Sequence, residues 1–142
     1  MSASGPTGPS PHQFHATRAA NALRRDIPGV RRVVIAGPDG LAFEDEGPDG
    51  NDEAMAAVVS TVLSVAQFAT STGSLGTFVS TNVRGANGCL VVYGIDQSHL
   101  LAVVTDPTVN TVLLDRLASR LVDELATVES NGITRPRAPQ HL

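Results

Sequence analysis

From Ala54 to Val83 the chain carries no Asp, Glu, Lys, Arg or His, although 17% of its residues are charged. The first part of that run reads as a helix, and an ordinary surface helix keeps a charged face toward water. Here one stripe is apolar: Met55, Val58, Val59, Val62, Val65, Ala66 and Ala69. The opposite side offers Ala57, Ser60, Thr61, Ser64, Gln67 and Phe68, all small or neutral. A helix without a charged face lies against protein on more than one side. The pattern therefore calls for a dimer or another partner.

With 142 residues and 42% hydrophobic content, the chain is long enough for one domain with a core of its own. Aromatic residues make up only 4% and tryptophan is absent, so the core rests on Val, Leu, Ile and Ala. A net charge of −4 argues against general affinity for nucleic acid, which draws on several cationic contacts to phosphate. Every basic residue is arginine. That rules out a P-loop lysine, a Schiff-base lysine and a Ser-Lys dyad. G- and C-rich codons account for the bias, as in an actinobacterial genome. The single Cys89, inside the apolar run GCLVVYG, reads as a small core hydrophobe with no internal disulfide or thiolate metal site to build. The opening MSASGPTGPSP lacks the basic and apolar regions of a secretory signal. No stretch is read as offering the ~20 sufficiently apolar residues of a membrane span. A cytoplasmic protein is expected.

Met1 to Pro9, rich in Gly, Pro and Ser, reads as a tail. Ser10-Pro11-His12-Gln13 reads as a helix start, with Ser10 as cap and Gln13 closing a capping box. That helix presents Ala16, Ala20, Leu23 and Ile27 inward and Arg18, Arg24 and Arg25 outward, and Pro28 stops it. Val30 to Ala36 is a strand, Gly37-Pro38-Asp39-Gly40 a turn, and Leu41 to Glu44 a second strand. Another GPDG follows at Gly47 to Gly50. The uncharged helix starts near Asn51 or Asp52 and ends at Gly73. Leu75 to Val83 alternates as a strand, with Leu75, Thr77, Val79, Thr81 and Val83 on one face. Gly85-Ala86-Asn87-Gly88 contains the Asn-Gly pair of tight hairpins. Cys89 to Ile95 and Leu100 to Thr105 are buried strands. Asp106-Pro107 opens a last helix with Val109, Leu113, Leu114, Leu117, Leu121, Leu125 and Val128 inward, ending at Asn131-Gly132. Thr134 to Leu142 reads as a second tail. The domain is placed at residues 10–129, between tails 1–9 and 130–142. The order α-β-β-α-β-β-β-α, with short strand connections, implies an α+β fold: a five-stranded, mostly antiparallel sheet with helices on its faces.

Catalytic constellations are weak. Ser60 or Ser64 with His99 and Asp106 suggests a triad only on paper, since no Gly-x-Ser-x-Gly elbow is present. His12 and His15 lie one helical turn apart without a third ligand nearby. Asp39, Asp49 and Asp96 belong to turns, and neither GPDG has the context of a phosphate loop. Arg116, Arg120 and Glu124 read as a solvated ion-pair row. Arg31 and Arg32 alternate on a strand, one toward water. No catalytic, cofactor-binding or metal residue is assigned, and the chain is not expected to be an enzyme.

The hairpin IPGVRRVVIAGPDGLAF resembles the opening of the roadblock/LC7 family, where a Pro-Gly-Val entry leads into two strands around an Asp-Gly turn. The stretch GCLVVYGIDQSHLLAVVTDPTVNTVLLDRLASRLVDEL resembles the family's closing strands and final helix. The likeness spans about Ser10 to Val128 and is nearest to bacterial MglB-like and actinomycete conservon members, found beside Ras-like GTPases. It implies a profilin-like α/β sandwich and a homodimer whose third strands pair across a two-fold axis, with the central helices side by side. Carried onto this chain, it implies a dimer interface at Leu75, Thr77, Val79, Thr81 and Val65. It also implies a GTPase-binding surface on the central helices, here Ala57, Thr61, Ser64, Phe68 and Thr72. In MglB-like members the dimer orders the GTPase's own catalytic residues and supplies no arginine finger. Two alternatives use the same sequence features. One is a scaffold in a sensor-kinase complex without effect on nucleotide turnover, and the other a small-ligand sensor, as related profilin-like and PAS-like sheets can be.

Overall fold

A computed structural model describes residues 11–37, 42–45 and 52–132 of the chain. The readings of Ser10, Pro38 to Leu41, Gly47 to Asn51, Met1 to Pro9 and Thr134 to Leu142 lie outside the described residues.

Helix α1 spans Pro11–Asp26 and buries Ala16, Ala20 and Leu23, with Ile27 just beyond its end, while Arg18, Arg24 and Arg25 stay exposed. The Ile27 N–H still donates to the Leu23 carbonyl at 3.0 Å, and Pro28, lacking an N–H, ends the pattern. Gly29 follows with φ of 98°, where its carbonyl accepts from Asp106 N–H at 2.8 Å. A Cβ there would stand 2.8 Å from the Asp106 carboxylate, so both angle and space require glycine.

The strands are β1 (Val30–Ala36), β2 (Ala42–Asp45), β3 (Ser80–Gly85), β4 (Gly88–Gly94) and β5 (Leu100–Thr105). They form one sheet in the order β2-β1-β5-β4-β3, and every neighbouring pair is antiparallel. Helix α2 spans Asp52–Thr72 and α3 spans Thr111–Gly132, past the domain boundary placed at 129. On one face Val33, Ile35, Val91, Tyr93, Leu101 and Val103 pack under α1 and α3; on the other Val34, Ala36, Val92, Leu100 and Ala102 pack under α2. Central β5 is covered on both faces, which is why LLAVVT reads as a continuous apolar run.

Several expectations shift. The strand expected from Leu75 begins at Ser80. The helix ends at Thr72, with the expected Gly73 as its C-cap, in a Schellman turn: Ser74, with φ of 55°, sits in the left-handed position, Leu75 N–H reaches the Thr70 carbonyl at 2.8 Å, and Ser74 N–H reaches the Ser71 carbonyl at 3.2 Å. Gly76 then turns with φ of 92°, and Phe78 folds inward over Gly94. Capping therefore takes Leu75, and Thr77 follows in a loop, so neither lies on the strand.

The last helix opens at Thr111 rather than at Asp106. Asn110 is its cap, accepting from Leu113 N–H at 3.0 Å, whereas Asp106 closes a turn by accepting from the Thr108 N–H and hydroxyl at 3.0 and 2.9 Å. Leu113, expected inward, is partly exposed beside Val112, while Leu114 and Ala118 take the buried line of the helix. In the β3–β4 connection Gly85 pairs with Gly88, so the loop is Ala86-Asn87 and the Asn-Gly pair straddles its end. Gly88 lies on the strand, where a Cβ would collide with the Thr105 carbonyl, so the position requires glycine.

Ala54–Thr72 also corrects the membrane reading. By length and composition it is long and apolar enough to cross a bilayer, with only 6% of that window buried. Ser60, Thr61, Ser64, Gln67 and Thr70 interrupt the apolar residues without lowering the average enough to exclude it.

Candidate functional site

Among the described residues of α2 only Val59 is fully buried; Met55, Val62, Leu63 and Ala66 are partly buried against the sheet. A stripe as wide as the one from Met55 to Ala69 cannot all reach a single sheet, and the excess is left outside. Val58 and Val65, both in that stripe, are 47% and 64% exposed. Val58 is the position that sequence reasoning missed as a surface residue, and the breadth of the stripe was the available signal.

The two flanks of α2 differ. Met55 and Val58 line an apolar groove with Val83 and Leu90, toward the open β3 edge. Ser60, Leu63 and Ser64 lie against Ala36, Gly37 and Leu100, toward β1. At 100° per residue, Val65 and Thr72 share the flank of Val58, while Thr61 and Phe68 point directly away from the sheet, flanked by Ala57 and Ser64. Phe68 is 71% exposed. The Thr61 hydroxyl donates to the Ala57 carbonyl at 2.8 Å, which spends its donor within the helix.

Alongside this flank runs the outer edge of β3. Leu75, Val79 and Val83 are exposed there and Thr81 is half-buried. An exposed edge strand is ordinarily guarded by charge or proline; here Arg84 is the only charged residue on β3. By helical phase Val65 lies on the flank of α2 that faces the β3 side, where Val79 and Thr81 are, with Leu75 and Thr77 on the loop leading into the strand. Ala57, Thr61, Ser64, Phe68 and Thr72 lie on the adjoining helix, Phe68 the most prominent of them.

The imagined triad is not assembled. The His99 ring nitrogen Nδ1 lies 2.8 Å from Asp96 Oδ1, while Asp106 is engaged by Thr108. Burial pushes the Asp96 carboxyl up, but hydrogen bonds from the His99 ring and from the N–H groups of Ser98 and His99 outweigh it and hold its pKa below the ordinary value. The Tyr93 hydroxyl donates to Asp115 Oδ1 at 2.6 Å; burial first, then that carboxylate, raises its pKa well above the usual phenol range. Among the described residues no group of three or more His, Cys, Asp and Glu is placed to hold a metal. A cleft at the sheet end is bounded by Gln67, Thr70, Phe78, Ile95, Asp96 and Val122, among others. Two of its polar groups are engaged locally: the Thr70 hydroxyl turns back to the Gln67 carbonyl at 3.1 Å, and Asp96 accepts from its own turn.

The family model of the Roadblock/LC7 domain matches residues 19–105, from α1 through β5. The chain belongs to the Roadblock/LC7 family. As a Roadblock/LC7 protein it is similar in structure to a Roadblock/LC7 domain from Streptomyces avermitilis, at 23% identity and TM-score 0.70, over 76% of this chain and 92% of that one. It is also similar to MglB of Myxococcus xanthus, at 14% identity and TM-score 0.76, over 89% and 96% of the two chains. The gliding protein MglB of Thermus thermophilus gives 15% identity and TM-score 0.74, over 86% and 93%. At these identities the likeness is one of fold. No curated protein sequence matches the chain.

Proposed function

We propose that this Roadblock/LC7 protein is a cytoplasmic, non-catalytic regulator or adaptor of a Ras-like GTPase, acting as a homodimer. The observation that carries the reading is the division of α2 into two uncharged surfaces. One flank, with Val58 and Val65, continues onto the β3 edge and suits a second copy; the outer face, centred on Phe68, suits a different partner. The apolarity that lets α2 qualify as a membrane span is also what a helix shared between two protein interfaces requires. Regulation of the GTPase follows from the family resemblance, in which the roadblock dimer acts by ordering the GTPase's own residues.

Covering an aromatic side chain contributes roughly 1.5–3 kcal/mol, and such residues are frequent interface anchors. Phe68→Asp is therefore expected to abolish binding of the source organism's Ras-like GTPases, loaded with GDP or a non-hydrolysable GTP analogue, in calorimetric titration. The variant's mass by light scattering should remain that of the wild type. Binding of unchanged affinity to Phe68→Asp would show that the outer face of α2 is not the docking surface. Binding with no change in GTP hydrolysis would favour the scaffold reading.

A further inference from the structure

The open edge of β3 carries a backbone pattern that determines how a second copy fits it. The Gly94 N–H donates to the Val79 carbonyl at 3.0 Å, and these two residues stand opposite one another in the register that pairs Thr81 with Val92 and Val83 with Leu90. Directly opposed residues of an antiparallel ladder alternate between bonded and non-bonded pairs. Val79, Thr81, Val83 and Gly85 thus direct their backbone groups to β4. Ser80, Asn82 and Arg84 aim their N–H and C=O groups outward.

The two sets also differ in face. Thr81 and Val83 oppose Val92 and Leu90, which belong to the core under α2. Ser80, Asn82 and Arg84 oppose Tyr93, Val91 and Cys89, on the side of α1 and α3. A two-fold axis that extends the sheet and keeps both α2 helices on one face must place outward residues opposite outward residues. Centring it on Arg84 sets two guanidinium groups against each other, which is unfavourable. Centring it at Ser80 or at Thr81 matches Asn82 or Arg84, respectively, with the core residue Phe78, and centring it at Val83 matches Ser80 with Ala86 in the turn. Centring it on Asn82 uses all three residues.

We infer that the chain dimerises with Asn82 on the two-fold axis, Asn82 bonded to Asn82 of the second copy and Ser80 to its Arg84. This rests on the homodimer reading and specifies its register. Each of the three bonded pairs exchanges two hydrogen bonds. On the α2 side Thr81 then meets Val83 of the second copy, a β-branched pair suited to a non-bonded position.

The test uses the full chain with its single native cysteine replaced (Cys89→Ala), because Cys89 stands directly opposite Arg84 and would trap a cysteine placed there within one copy. Bonded opposed residues have Cα atoms about 5.5 Å apart, within disulfide reach. Under copper-phenanthroline oxidation Asn82→Cys should link to itself as a covalent dimer. Ser80→Cys and Arg84→Cys should not, because each lies about 13 Å along the strand from its own copy; an equilibrated mixture of those two should link. Preferential self-linking at 80 or 84, or no linking at any of these positions in a protein whose mass is that of a dimer, would overturn the register. A monomeric mass for the wild type would instead remove the homodimer reading beneath it.

Discussion

Proline substitution along β3 separates the strand's two edges. At Asn82 the N–H points outward, so Asn82→Pro removes nothing from the isolated fold, and edge strands accept proline. In the dimer the same change deletes one N–H from each copy, and both hydrogen bonds on the axis go with them. At about 0.5–1.5 kcal/mol net per bond the loss is about 1–3 kcal/mol, a rise of about 5- to 150-fold in the dimer dissociation constant. Val83→Pro does the opposite. Its N–H faces Leu90 on β4, and an orphaned carbonyl there costs about 1–3 kcal/mol of fold stability. For a chain of this size that is a fall in Tm of about 2–12 °C.

Sedimentation equilibrium over a concentration series gives the dissociation constants, and calorimetry below the dimer's dissociation constant gives the monomer's Tm. The expected result is a weakened dimer with unchanged monomer Tm for Asn82→Pro, and a lowered monomer Tm for Val83→Pro. If Asn82→Pro lowers the monomer Tm and leaves dimerisation untouched, the inward and outward residues of β3 have been assigned the wrong way round.

Two further outcomes follow from groups outside this surface. Gly29→Ala introduces a Cβ 2.8 Å from the Asp106 carboxylate at a φ of 98°, and should destabilise by about 1–3 kcal/mol in urea unfolding; a smaller loss in an Asp106→Ala background would separate the steric part from the backbone part. Asp96 has a folded pKa below its ordinary 3.8, so its contribution is fully present above that value and is lost as pH falls through the folded pKa. Urea midpoints measured from pH 7 to pH 2 should therefore fall less steeply for Asp96→Asn than for wild type in the acid range, and parallel curves would refute the assignment.

The elements most legible in the sequence were those bounded by strong backbone signals. Pro28 and Gly29 delimit α1 from β1, and LLAVVT announces a strand covered on both faces, so α1, β1 and β5 fall where periodicity places them. The start of β3 was not legible, because Leu75-Gly76-Thr77-Phe78-Val79 alternates as well as any strand. What decides it is the helix C-terminus: the carbonyls of Thr70 and Ser71 need donors, and Ser74 and Leu75 supply them. A similar competition moved the α3 start, since both Asp106 and Asn110 are good caps and the Asp106 side chain is taken by Thr108.

The missing charge on α2 was legible from the first, but its division into two surfaces was not. Periodicity gives angles around a helix axis; it does not say which direction is the sheet. Once Val59 fixes the inward direction, Val58 and Val65 fall toward β3 and Phe68 away from everything. The helix is then held to its own domain by one fully buried side chain and, among its described residues, four partly buried hydrophobic ones packed on the sheet. Such an anchor leaves α2 dependent on what covers its flank, because the exposed valines gain their burial only from a neighbour. A second copy seated on β3 would supply that cover while leaving Phe68 free, so dimerisation would steady the same helix that presents the partner surface. Weakening the seam at Asn82 should accordingly weaken GTPase binding with no residue of the Phe68 face changed.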